Sequence, residues 1–150
     1  MPYPDLSDVV AAIVEAMAFL TPREPGEEVL AAAERVVGIR FSERAAPPAG
    51  SRSGEMVLGL SPGLSAVIAC NMLGMPADAP VPEETIRDAT CELMNVLAGN
   101  LLPRLVGSNR EFILSTPFQR SALPDPGVLL CSFPTEEGLL VVMLTADLPA

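Results

Sequence analysis

The spacing of apolar and polar positions changes character several times along the chain. Residues 6–20, "LSDVVAAIVEAMAFL", repeat apolar residues every three to four positions and stop at "TPREPG". That is the period of an amphipathic helix closed by a Pro/Gly break. Ser7 or Asp8 is the expected N-cap, because either side chain can accept from a free backbone N–H of the first turn. Residues 27–42, "EEVLAAAERVVGIRFS", read two ways. The alanine-rich first part favours helix, whereas "RVVGIRFS" favours strand. "ERAAPPAGSRSG" (43–54) is a loop by its Pro, Gly and Ser content, and "EMVLGLS" (55–61) is a strand, so a hairpin is expected here.

"PGLSAVIACNMLG" (62–74) reads as a short helix with Pro62 near its start and Gly74 as its stop. After the proline-rich connector "MPADAPVP", a long helix is expected over residues 83–106. It is acidic at its start and carries Arg104 near its end, charges that complement the helix dipole. Pro103 should bend or fray its last turn. Three strands follow over 110–118, 128–133 and 138–146, the last two joined by the turn sequence "PTEEG".

Strands in antiparallel runs, interleaved with helices, point to an α+β domain in which helices pack on an antiparallel sheet. The order also hints at a pseudo-repeat of two α-β-β-type halves, in which Glu15 on the first helix aligns with Glu92 on the long one. A chain of 150 residues suits one domain spanning residues 1–150. Hydrophobic residues make up 49% and charged residues 19%, a globular and not a disordered composition.

Charge and residue inventory remove several function classes. The net charge of −10 repels nucleic-acid phosphates and anionic membrane surfaces, so neither is an expected partner. No apolar run approaches the roughly 18 residues that span a bilayer, and "MPYPDLSDVV" lacks the basic start of a signal peptide. A cytoplasmic location is expected. The three cysteines, Cys70, Cys91 and Cys131, are odd in number and sit in apolar segments, as buried free thiols do. With no histidine, the common zinc patterns, the Ser-His-Asp triad and the Cys-His pair are all unavailable, and no metal site is expected.

One stretch of the long helix, "DATCELMNVLAGN" (88–100), departs from a plain apolar pattern. At the helical turn angle, Asp88, Glu92, Asn95 and Gly99 fall within a stripe about 60° wide. Ile86, Thr90, Leu93, Leu97 and Leu101 form a row on the opposite side, which should face the core. Gly99 leaves a bare spot on the outward stripe, at roughly 1 kcal/mol of helix stability relative to alanine. Close approach by another molecule is one reason to keep it, and helix-on-helix packing is another. A three-residue polar stripe is by itself ordinary solvated surface, so spacing alone assigns no site. The chemistry open to the pair is nonetheless specific. A carboxylate can bind a cation or orient an ammonium group, and an amide can both donate to and accept from a water. Such a pair lacks the means to run a whole hydrolysis, but it can complete another protein's site.

The stretch resembles the CheX branch of the CheC/CheX/FliY chemotaxis phosphatases. Their pattern is Asp or Ser, three residues, Glu, two residues, Asn and, after a longer interval, Pro. This chain has Asp88, Glu92, Asn95 and Pro117, with an interval one residue shorter than the family's. "NVLAGN" followed by "LLPRL", the upstream "GEMVLGLSPGLSAVIACNMLG", the downstream "STPF" and the final hairpin also fit, so the likeness spans roughly residues 30–146. The resemblance implies a phosphatase of phosphorylated CheY-like response regulators. Glu92 would contact the regulator's lysine and Asn95 would position the attacking water, with Asp88, Gly99 and Pro117 bordering the partner. The regulator would supply Mg²⁺ and the phosphoaspartate, leaving the chain with no cofactor of its own. It also implies a strand over 30–42 and a homodimer joined through the sheets. The first helix pairs Glu15 with Ala18 instead of an asparagine, so one site per chain is expected. The alternative is a non-catalytic adaptor of the same fold that binds a response regulator or another signalling partner.

Overall fold

The computed structural model describes residues 3–23, 33–44, 53–76, 78–107 and 110–146. Within them, α1 (Ser7–Ala18) is followed by β1 (Arg35–Glu43), β2 (Ser53–Leu60), α2 (Leu64–Leu73) and α3 (Glu83–Val106). Then come β3 (Phe112–Leu114), β4 (Phe118–Arg120), β5 (Val128–Thr135) and β6 (Gly138–Ala146). All the strand pairs are antiparallel, in the order β3–β1–β2–β6–β5, with β4 also paired to β1. This is the α+β architecture expected from the order of elements.

The ambiguous stretch resolves as strand where its β-branched and aromatic residues lie. Val37, Ile39 and Phe41 point into the core, and β1 is paired on both sides, to β2 and to β3 and β4. A central strand is where such side chains gain most from burial. The strand starts at Arg35, later than expected, with the Glu34 N–H still donating to the Leu60 carbonyl at 2.9 Å. Residues 30–32 of the expected strand, and 45–52 of the expected loop, lie outside the described residues. β1 and β2 both run into the stretch read as loop, to Glu43 and from Ser53.

The β1–β2 and β5–β6 hairpins meet edge to edge through β2 and β6, the two-half layout expected from the sequence. α1 packs over β5 and α3 over β1, so each half's helix lies across the other half's hairpin. Alternate residues Met56, Leu58 and Leu60 of β2 and Leu140, Val142 and Leu144 of β6 face the helices and are fully buried. The "PTEEG" turn is held by Thr135, whose Oγ1 donates to the Gly138 carbonyl at 2.8 Å and accepts from the Gly138 N–H at 3.1 Å.

Two local expectations are corrected. Neither Ser7 nor Asp8 caps α1. The helix begins at Ser7, and the carboxylate of Asp5 accepts the Ser7 N–H at 2.9 Å, which holds the Asp5 carboxyl below its ordinary pKa. Leu6, between them, holds the N-cap position but is a buried apolar residue, so the first turn has no N-cap side-chain bond. The single strand expected over 110–118 is broken in two. Phe41 pairs with Leu114 and Gly38 with Phe118, so Ser115, Thr116 and Pro117 span an interval covered on β1 by Ile39 and Arg40. Pro117 has no N–H to give a ladder, and the extra residue is accommodated as a bulge. Ser115 repairs the gap: its N–H donates to the Arg40 carbonyl at 2.8 Å and its Oγ accepts the Arg40 N–H at 2.9 Å.

Candidate functional site on helix α3

α3 is the platform on which the polar stripe is displayed. Glu83 and Glu84 sit at its positive end and Arg104 in its last turn. Leu93, Leu97 and Leu101 are fully buried beneath it, so the helix is seated firmly on the core. Pro103 does not end the helix, which runs on to Val106 and closes with the Gly107 N–H on the Pro103 carbonyl at 2.8 Å. The fraying expected there is prevented by Leu105, which is buried and anchors the final turn. Because Pro103 has no N–H, the Gly99 carbonyl one turn earlier lacks its usual helical donor.

Asp88, Glu92, Asn95 and Gly99 are all exposed, on the face opposite the buried leucines. Among the described residues, the side chains of Glu92 and Asn95 have no hydrogen-bond or ion-pair partner. They stand three positions apart, which on a helix places their side chains side by side, roughly 5–6 Å apart at Cβ. Among the described residues, a Cβ built on Gly99 would meet nothing within 4 Å, so packing between the described helices does not account for the glycine.

The segment from Phe112 to Gln119 runs back along α3. Phe112 and Leu114 line a groove of about 120 Å³ with Ala98, Gly99, Leu102, Pro103 and Arg110. Further on, the Gln119 amide reaches the Cys91 sulfur at 3.7 Å. Pro117 lies between these two contact points along the segment. Arg35 secures the same corner: its guanidinium donates to Gln119 Oε1 at 2.8 Å and pairs with Glu83. That arginine holds the Glu83 carboxyl below its ordinary pKa. Burial pushes the half-buried Cys91 thiol above its ordinary pKa, against the opposing hydrogen bond from Gln119.

Arg35, Gln119, Arg110 and Leu114 were not singled out from the sequence. They reach α3 only through β1, β3 and β4, and no local spacing joins residues so far apart. A larger hollow of about 500 Å³, lined by Arg40, Ser42, Ser53, Glu55 and Ile113 among others, opens on the opposite face of the sheet, away from the stripe. Among the described residues, no cluster of His, Cys, Asp or Glu side chains could hold a metal ion, and no helix is long and apolar enough to cross a membrane.

Residues 47–121, half of the chain, match the family described as "Chemotaxis phosphatase CheX". The chain belongs to the CheX family. The matched span takes in β2, α2, α3 and both short strands beside the stripe, and with them all five residues singled out above. Among curated proteins none matches. Solved structures share the fold at low identity. A chain of the CheX–CheY–BeF₃–Mg²⁺ complex from Borrelia burgdorferi aligns with a TM-score of 0.64 at 14% identity, over 93% of this chain and 93% of that one. CheX from Vibrio vulnificus gives 0.60 at 22%, over 92% and 91%. A CheC-like protein from Shewanella sp. PV-4 gives 0.61 at 22%, over 93% of each.

Proposed function

We propose that this chain hydrolyses the phosphoaspartate of a CheY-like response regulator, with Asn95 holding the attacking water and Glu92 pairing with the regulator's lysine. The observation that carries this reading is the pair itself. Two neighbouring polar side chains are exposed and without partners among the described residues, on a helix anchored by fully buried leucines, in a CheX-family protein.

The chemistry fits what the pair can do. The water oxygen attacks phosphorus, and the bond from phosphorus to the aspartyl oxygen breaks. Its electron pair leaves with the carboxylate, and the products are aspartate and inorganic phosphate. A carboxylate is a good leaving group and needs no protonation, so the absence of histidine is no obstacle. What remains is to hold the water in line. An amide does this by donating to one group and accepting from another without changing its own charge. Glu92 contributes a negative charge that orients the regulator's ammonium group. The divalent ion comes with the regulator, a reading supported by the Mg²⁺ present in the CheX–CheY–BeF₃–Mg²⁺ complex from Borrelia burgdorferi. Asp88 and Pro117 border the docked partner. The same reading includes a homodimer joined through the sheets, for which the edge strand β5, with Val128 and Leu129 exposed, is available.

The test is the decay of radiolabelled phospho-regulators from the same organism, with and without this protein. Faster release of inorganic phosphate is expected with the cognate regulator. Binding of that regulator without faster decay would instead identify an adaptor.

A further inference from the structure

The groove beside Gly99 is continuous with the stripe, because Gly99 belongs to both. It lies one helical turn, about 5–6 Å, beyond Asn95. A partner whose active site receives Asn95 therefore also covers the mouth of this groove. Its volume of about 120 Å³ is a little below the ~150 Å³ of a cavity that holds benzene, which suits a single aliphatic side chain. The floor is hydrocarbon: Ala98 and Leu102 are buried, and Phe112 and Leu114 form the opposite wall. One polar group interrupts it. Arg110 also lines the groove, and its Nε stands 3.6 Å from the Glu43 carboxylate. A Cβ at position 99 would touch nothing among the described residues yet would stand at the groove's mouth, so the bare glycine suits what enters from outside.

We propose that the groove between Gly99 of α3 and Leu114 of β3 receives one aliphatic side chain of the phosphorylated response regulator. This rests on the phosphatase reading above. It makes the groove a determinant of which regulator is served, separate from the Glu92–Asn95 pair that acts on the phosphoryl group.

The experiment compares wild type, Gly99→Ala and Gly99→Leu, using the full chain and the cognate regulator loaded with BeF₃ and Mg²⁺ for binding, or phosphorylated for turnover. Gly99→Leu fills the groove from its mouth and should raise Kd and KM at least tenfold, with the loss falling on KM and not on kcat. Gly99→Ala should move both the same way by a few-fold while its Tm rises, since alanine favours the helix. A lower affinity in a more stable protein is an outcome that misfolding cannot produce. Gly99→Leu with wild-type Kd and KM overturns the proposal and leaves the phosphatase reading intact. So does a loss confined to kcat, which would place Gly99 in the chemistry. A change in oligomeric size by light scattering also overturns it, because the occupant would then be a second copy of this chain. A wild-type protein that neither binds nor dephosphorylates any regulator overturns both readings together, and is told apart because all three proteins are then equally silent.

Discussion

Truncating Asn95 to alanine should uncouple activity from stability. The side chain is exposed and has no partner among the described residues, so its removal deletes nothing that holds the fold. Alanine is the better helix former by about 0.5 kcal/mol. For a domain of this size that corresponds to a Tm unchanged or raised by about 1–2 °C. Activity should move the other way. Holding a water in line acts in the transition state, where such positioning is worth on the order of 3 kcal/mol, or roughly 100-fold in turnover. One exposed docking contact is worth less than about 1 kcal/mol, so Kd for the BeF₃-loaded regulator should change by less than about fivefold. Glu92→Ala should weaken both rate and binding, because a ground-state ion pair is lost as well. The loss of binding should shrink at high salt, where that pair is screened. The assays are single-turnover decay of the phospho-regulator, titration of the loaded regulator, and thermal melts of each variant. Equal losses of affinity in the two variants, with turnover of the bound complex untouched, would refute the catalytic assignment. An Asn95→Ala protein destabilised by more than about 2 kcal/mol would show a structural amide instead.

Leu97→Ala, two positions along α3 but fully buried, should give the opposite pattern, costing about 2–5 kcal/mol in urea or thermal unfolding and sparing the chemistry of whatever remains folded. Gly138→Ala should destabilise by about 1–3 kcal/mol, because φ there is +153° and the new Cβ would collide with Ser61 Oγ, which accepts the Leu139 N–H; a melt at wild-type temperature would contradict the close packing of that turn. The depressed Glu83 carboxyl stabilises the fold above its ordinary pKa, and that contribution is lost as pH falls below that ordinary value, so Glu83→Gln should flatten the acid limb of the stability profile. The Cys131 thiol, raised by burial, should react with an aromatic disulfide reagent only slowly in the native protein and at once in denaturant, the contrast being followed by thiol release.

Much of this architecture was legible in the residues. The long helix announced itself by a helical period over more than 20 positions, acids at its start and a basic residue at its end, and α3 runs from Glu83 to Val106. The same period separated the outward row of Asp88, Glu92, Asn95 and Gly99 from the leucines behind it, because a helix fixes the relative direction of its side chains without help from neighbours. Gly74 marked the end of α2 for an equally local reason, since its φ of +69° is open to glycine at little cost.

What the sequence could not decide were features set by contacts between distant segments. Its local propensities left residues 27–42 divided between helix and strand, and the strand from Arg35 was settled by partners on both sides, β2 on one and β3 with β4 on the other. Pro117 was visible as a proline, but that it breaks one strand into two follows from its lack of an N–H at a position where β1 would otherwise take a rung. The N-cap position of α1 fell to Leu6, which the core buries, and Asp5 one residue earlier accepts the Ser7 N–H. The groove at Gly99 exists because β3 is laid against α3 by its pairing to β1, bringing Arg110, Phe112 and Leu114 to a helix that ends before them in the chain. Periodicity reports which way a side chain points, whereas only the folded chain determines what it meets there.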